Sequence, residues 1–199
     1  MISRSLAIGF AAGFVVLALA VALLAPRRLA PTIAVALHGT PLNPPKVALD
    51  FVLLDGRARP THLIDRADAV TLLFFGYTHC PDACPLALAS LARAYRSLDP
   101  ERRLRTRIAF VTVDPKRDRP AVMRAYAAKF DPHIVALTGT ASELANVWRA
   151  YGVRVDPSKP QVGHDDTIYA IDSDARVTYV YPPDSSASDL ASDLRVLAR

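Results

Sequence analysis

Two cysteines stand four residues apart in Phe74-Phe75-Gly76-Tyr77-Thr78-His79-Cys80-Pro81-Asp82-Ala83-Cys84-Pro85, and the chain has no others. An apolar run stopped by glycine leads into the segment, and a proline follows the first thiol. That is the pattern of a buried strand running into the first turn of a helix. A helix N-terminus presents free N–H groups and a partial positive charge, which favour a thiolate over a thiol. Residues i and i+4 share a helical face, so both sulfurs can point at one spot. Two soft thiolates there suit Cu(I), while a Cα separation of about 6 Å equally permits a disulfide. The spacing leaves metal binding and redox cycling both open. Inert core cysteines are the poorer reading, because structural thiols rarely occupy a proline-flanked helix start.

The elements that must hold this segment alternate along the chain. Val47–Leu54 is strand-like and closes at Asp55-Gly56, and Val70–Phe75 suits a strand buried on both faces. Cys84, Leu88, Leu91, Tyr95 and Leu98 fall on one helical face. Ile108–Val113 reads as a strand, and Asp118 and Pro120 open a helix bearing Val122, Met123, Tyr126 and Phe130. Ile134–Leu137 is another short apolar run. Thr140 and Glu143 make a capping-box pattern ahead of Leu144, Val147, Trp148 and Tyr151, of which Trp148 and Tyr151 sit at core spacing. Thr167–Ile171 and Val177–Tyr181 flank Asp172-Ser173-Asp174-Ala175 as an antiparallel hairpin, and a last helix carries Leu190, Leu194 and Leu197. Strand–helix–strand units imply a parallel sheet centre, and the hairpin adds an antiparallel edge. The expected fold is a three-layer α/β domain of thioredoxin type with a central mixed sheet.

Ahead of that domain, Ser5–Ala25 is 21 residues without a charge. At about 1.5 Å per residue they span roughly 30 Å, the thickness of a bilayer's hydrocarbon core. Residues 1–28 are therefore expected to form an N-terminal transmembrane anchor. The rival is a cleaved signal peptide, with Ala34-Val35-Ala36 as a small-residue site; that site lies well past the apolar run. Charge does not orient the span, since Arg4 and the amino terminus oppose Arg27 and Arg28. Residues 29–45, with Pro31, Pro41, Pro44 and Pro45, read as an extended tether, leaving 46–199 as the domain. The net charge of +5 is scattered, and its densest stretch, Glu101–Arg107, is broken by Glu and Leu. It reads as a solvated turn, so no nucleic-acid partner is expected.

Phe75-Gly76-Tyr77-Thr78-His79-Cys80-Pro81-Asp82-Ala83-Cys84-Pro85 resembles the signature of the Sco/SenC family, copper proteins that help assemble the copper centre of cytochrome c oxidase. Gly39-Thr40-Pro41-Leu42, Asp50-Phe51, Val111-Thr112-Val113-Asp114-Pro115 with Arg117-Asp118, Phe130-Asp131-Pro132 and Leu137-Thr138-Gly139 are similar too, so the likeness runs in order over residues 39–199. The resemblance implies one copper per chain, Cu(I) or Cu(II), held by Cys80, Cys84 and a distant histidine that matches His164. In a thioredoxin-type fold the loop entering the strand after His164 faces the helix start, where related oxidoreductases keep a cis-proline; here the nearest proline is Pro160. An imidazole facing two thiolates makes an S₂N site acceptable to copper, whereas structural zinc usually takes four protein ligands.

The family often has an acidic residue directly before this histidine. Gly163 stands there instead, with Asp165 and Asp166 following, either of which could orient the imidazole. His79 is a motif residue that could tune the thiols, and Asp114 is expected to cap its loop. His38, His62 and His133 are expected to face solvent. The resemblance implies a metallochaperone with the copper-binding oxidase subunit as partner, and another copper chaperone or a thioredoxin-like reductant as a further one. Its place would be the inner (cytoplasmic) membrane, single-pass, with the domain facing the periplasm or an equivalent space. The alternative is a thiol–disulfide oxidoreductase that uses Cys80 and Cys84 as a redox-active disulfide on the oxidase's copper-ligand cysteines. A peroxidase using one thiolate has no added signal in the sequence.

Overall fold

The computed structural model describes residues 37–64, 69–156 and 162–199. The anchor expected over residues 1–28, residues 29–36 of the tether, and Pro160 lie outside the described residues. Among the described residues no helix is long and apolar enough to cross a membrane.

The sheet is built around two strands, β4 (Val70–Gly76) and β5 (Thr106–Thr112), in which every residue is buried. Their runs of Val, Leu, Ile and Phe serve both faces at once, which a strand covered by helices on either side requires. They pair in parallel from Val70↔Thr106 to Gly76↔Thr112. Parallel pairing needs a crossover, and α1 (Ala83–Arg96) with the short α2 (Pro100–Leu104) supplies it. A second crossover through α3 (Pro120–Ala127) leads to β6 (Val135–Thr138), parallel to β5. The hairpin of β9 (Ile168–Ile171) and β10 (Arg176–Tyr181) adds antiparallel strands, with β9 against β4.

Aromatic contacts sort the helices into layers. Phe74 stacks on Phe110 at 6.1 Å, and Phe110 meets Tyr126 of α3 on the same side. Phe75 points the other way and meets Tyr151 at the end of α4 (Ala141–Tyr151), at 5.7 Å. The sheet thus lies between helices, as the strand–helix alternation led one to expect. The Thr140–Glu143 capping box forms reciprocally at the start of α4, and Gly152 closes that helix in the left-handed conformation, φ 72°.

The expected strand Val47–Leu54 is two strands. β1 (Thr40–Val47) pairs with β10 at one edge, whereas β2 (Val52–Asp55) pairs with β6 and with β3 (Pro60–His62) at the other. The chain crosses between edges at residues 48–51, with Ala48 donating to the Ala175 carbonyl and Tyr151 donating its hydroxyl to the Leu49 carbonyl. Thr40–Pro45, part of the expected tether, belongs to this edge strand, which pairs with β10 at Thr40 and Pro41 and, after a shift of register, again at Lys46 and Val47. Three prolines and the lack of clear alternation leave that pairing without a local signal, and edge strands are where proline is tolerated. The expected helix at Asp118 begins at Pro120 with Arg119 as N-cap, because the Asp118 side chain is engaged elsewhere.

One polar cluster ties the entry of the domain to its last helix, α5 (Ala187–Leu197). Asp193, 1% exposed, accepts from the backbone of His38 at 2.8 Å and Gly39 at 3.0 Å and from the Tyr181 hydroxyl at 3.0 Å. Its other oxygen lies 2.8 Å from His38 Nδ1. Burial alone would push the Asp193 carboxyl up, and these bonds more than offset it, so its pKa lies below the ordinary 3.8. The same hydrogen bond raises His38 above the ordinary 6.5. The His38 contribution to stability is fully present below pH 6.5 and fades as pH rises through the raised value. The Asp193 contribution is present above pH 3.8 and fades as pH falls through the lowered value. We expect urea midpoints of the wild type to fall on both sides of that window, and Asp193→Asn to flatten the alkaline fall while lowering the midpoint throughout.

Candidate metal centre

β4 ends at Gly76 and the chain turns into α1 through Tyr77–Asp82. The turn is closed by Cys80 N–H donating to the Tyr77 carbonyl at 3.3 Å, and its start is fixed by Val113 N–H on the Gly76 carbonyl at 2.8 Å. Cys84 lies in the first turn of α1, fully buried, while Cys80 is partly exposed. The Cys84 N–H points at Cys80 Sγ, 3.4 Å away. That is the free donor of a helix start aimed at a sulfur, the arrangement that stabilises a thiolate.

The two thiols have unequal surroundings. Burial pushes the Cys84 thiol well above its usual range, the hydrogen bond with Cys80 adds to this, and the Tyr77 backbone partly opposes it. Gly76 makes room for that sulfur: a Cβ there would lie 2.7 Å from Cys84 Sγ and 3.0 Å from Phe110 Cε2. The glycine ending the apolar run is therefore required by the packing of the thiol.

His164 lies on β8 (Gly163–His164), which pairs with β7 (Val155–Asp156) just before β9. Its ring meets Tyr77 edge-on at 5.8 Å between centroids, 85° between planes. Tyr77 is thus flanked by the imidazole and, on another side, by Arg117, whose guanidinium carbon is 5.8 Å from the ring centroid. The expected loop does face the thiol turn. Among the described residues, however, no three His, Cys, Asp or Glu side chains stand close enough to hold a metal ion. The structure brings Cys80 and Cys84 together and sets His164 against the tyrosine of the same turn.

His164 Nδ1 is 3.1 Å from the Asp165 carbonyl oxygen. A carbonyl only accepts, so Nδ1 is the donor of this bond and Nε2 is the ring nitrogen left to meet another partner. The group orienting the imidazole is this backbone carbonyl. The Asp165 carboxylate, considered for that role, instead holds Arg154 through its backbone at 3.0 Å and its guanidinium at 3.1 and 3.2 Å. The Asp166 charge raises Cys84 further.

The other histidines are exposed and each has a partner. His38, His62 and His133 pair with Asp193, Asp50 and Asp131, and His79 Nδ1 lies 3.0 Å from the Thr78 hydroxyl. The Asp114 carboxylate holds Arg117 within its own loop, in keeping with a loop-capping role. Trp148 packs on the core and donates to the Thr112 carbonyl at 3.1 Å.

The residue that sequence reasoning passed over is Asp118. It is fully buried, and its carboxylate accepts from Thr78 N–H at 3.0 Å, the Thr78 hydroxyl at 2.5 Å and the Thr112 hydroxyl at 2.7 Å. Its local sequence signal, an aspartate two residues before a helix proline, reads as a helix start, and its place in the Arg117-Asp118 likeness assigns it no role.

The mitochondrial SCO2 homologue of Bos taurus is 37% identical over 153 residues, 73% of this chain and 58% of that protein. The chain thus spans less than two thirds of the length of that mitochondrial relative. Among solved structures, apo Sco1 of Thermus thermophilus has 35% identity and a TM-score of 0.75, covering 83% of this chain and 99% of its own. ScoI of Bradyrhizobium japonicum, solved with copper bound, has 32% identity and a TM-score of 0.67, covering 76% and 99%. The family model described as SCO1/SenC matches residues 39–199, all of the sheet and the whole thiol turn, and the chain belongs to the SCO1/SenC family.

Proposed function

We propose that this chain is a copper-binding assembly factor that carries one copper ion on Cys80, Cys84 and His164 and delivers it to the copper-binding subunit of cytochrome c oxidase. The observation that carries the reading is the paired thiols at the start of α1, one reachable from solvent, with the imidazole of His164 against the tyrosine of the same turn. The donor set suits the cargo. Two sulfurs satisfy Cu(I), and an imidazole with a free Nε2 adds the nitrogen that Cu(II) favours. His164, set against Tyr77 of the thiol turn, supplies the third ligand beside the two sulfurs. Copper bound to a relative of 32% identity supports the same reading.

Delivery by ligand exchange needs an outer ligand that an incoming thiolate can replace and an inner one that stays. Cys80, partly exposed, is the outer ligand and Cys84, buried against Gly76, the inner one. The apolar run Ser5–Ala25 anchors the chain in the cytoplasmic membrane with the domain in the periplasm, beside its oxidase partner.

A thiol–disulfide oxidoreductase is the second reading, and the contrast between Cys80 and Cys84 favours it: a reachable thiol attacks and a buried neighbour resolves. Copper titration of the reduced, purified full chain tests the first reading. We expect about one copper per chain to survive desalting, and almost none in Cys80→Ser, Cys84→Ser. Equal loss of copper from wild type and double variant would leave the oxidoreductase reading in its place.

A further inference from the structure

Asp118 is a buried carboxylate that the ligand set does not use, and a buried carboxylate is costly to keep. It grips one residue twice. Thr78, two residues before Cys80, donates both its N–H and its hydroxyl to Asp118. The grip is anchored from behind. The Thr112 hydroxyl at the end of β5 donates to the same carboxylate, and itself accepts from Asp114 N–H at 2.8 Å. Asp118 N–H donates to the Asp114 carbonyl at 2.9 Å, and the Asp118 carbonyl accepts from the Thr138 hydroxyl at 2.8 Å at the end of β6. Burial raises the carboxyl's pKa, and the Thr78 and Thr112 bonds pull it back, so these donors are what make the site tolerable to a carboxylate.

We propose that Asp118 is a positioning residue for the thiol pair: by fixing Thr78 to the ends of β5 and β6, it sets how close Cys80 Sγ is held to Cys84. This deepens the reading of Cys80 and Cys84 as a working pair and rests on it. The turn from Gly76 to Ala83 carries Cys80, whereas Cys84 belongs to α1. Without the Asp118 bonds the turn keeps only its closure at Tyr77 and its tie at Gly76, moves more against the helix, and the effective concentration of one thiol at the other falls.

The test is the metal-free equilibrium of the full chain with glutathione. Protein dithiol and glutathione disulfide give protein disulfide and two glutathione thiols. The Cys80–Cys84 S–S bond forms, the glutathione S–S bond breaks, two electrons pass to glutathione, and the two thiol protons end on its sulfurs. Asp118→Asn sets an amide donor against the donors of Thr78, and we expect the equilibrium constant to fall about tenfold. Thr78→Val, which removes only the hydroxyl, should lower it about threefold, and Thr78→Ser should stay within about twofold of wild type. A role confined to stability would lower melting temperatures while leaving the constant unmoved. Folded Asp118→Asn and Thr78→Val chains both within twofold of wild type would therefore overturn the proposal. If Asp118→Asn does not fold, the contrast between Thr78→Val and Thr78→Ser decides it alone. No metal is present, so a chain that binds no copper would remove the copper reading and leave this result standing.

Discussion

His164→Ala should lose the Cu(II) complex of the chain and keep its reversible disulfide. The substitution removes one proposed ligand and leaves the helix start in place, because the His164 ring meets Tyr77 and the Asp165 carbonyl while its backbone pairing with Val155 is unchanged. Cu(I) is content with two thiolates, so a bisthiolate complex should survive. Cu(II) prefers nitrogen and a higher ligand count, and should be bound at least about a hundredfold more weakly. The intense sulfur-to-copper charge-transfer band should vanish with it. The Cys80–Cys84 disulfide depends on the turn and on α1, so its formation should persist. Oxidase assembly in cells should fail, as a carrier with an incomplete ligand set releases its cargo early. A variant that supports full assembly while its thiols cycle normally would transfer the function to thiol exchange.

Gly76→Ala should damage stability and site together. The added methyl would fall 2.7 Å from Cys84 Sγ, 3.0 Å from Phe110 Cε2 and 3.1 Å from Phe74 Cε1, all fully buried side chains. None is the free end of a flexible chain, so the clash has to be absorbed by moving α1 or the two rings. Overpacking of this kind costs about 3 kcal/mol, a large part of a domain's margin. The sulfur is the softest neighbour, and its displacement would spoil the geometry of the pair even where the chain still folds. Urea unfolding and copper stoichiometry should fall together in this variant. Loss of stability with full copper retention would mean that the sulfur's place against Gly76 does not matter to the ligand set.

Much of the site could be read from residue types. Two thiols four apart behind a Gly-stopped apolar run dictate a strand, a turn and a helix start, and all three are present. The capping box and the hairpin were equally legible, because each rests on local chemistry. What escaped depends on distant partners. The break between β1 and β2 follows from which sheet edge each strand joins, and Val47–Leu54 carries no local mark of it. By local chemistry Asp118 opens a helix, whereas its grip on Thr78 spans 40 residues. The Asp165 carboxylate was a candidate to orient His164, but Arg154 claims it and a backbone carbonyl takes its place, which side-chain types cannot reveal. The β7–β8 pairing that positions His164 involves two residues from each strand, too short for any periodic signal.

X-ray absorption at the copper edge of the loaded full chain tests the central claim most directly. The account requires two sulfur scatterers from Cys80 and Cys84 and an imidazole pattern that disappears in His164→Ala. Copper with only nitrogen and oxygen neighbours, or an imidazole pattern unchanged in His164→Ala, would contradict it.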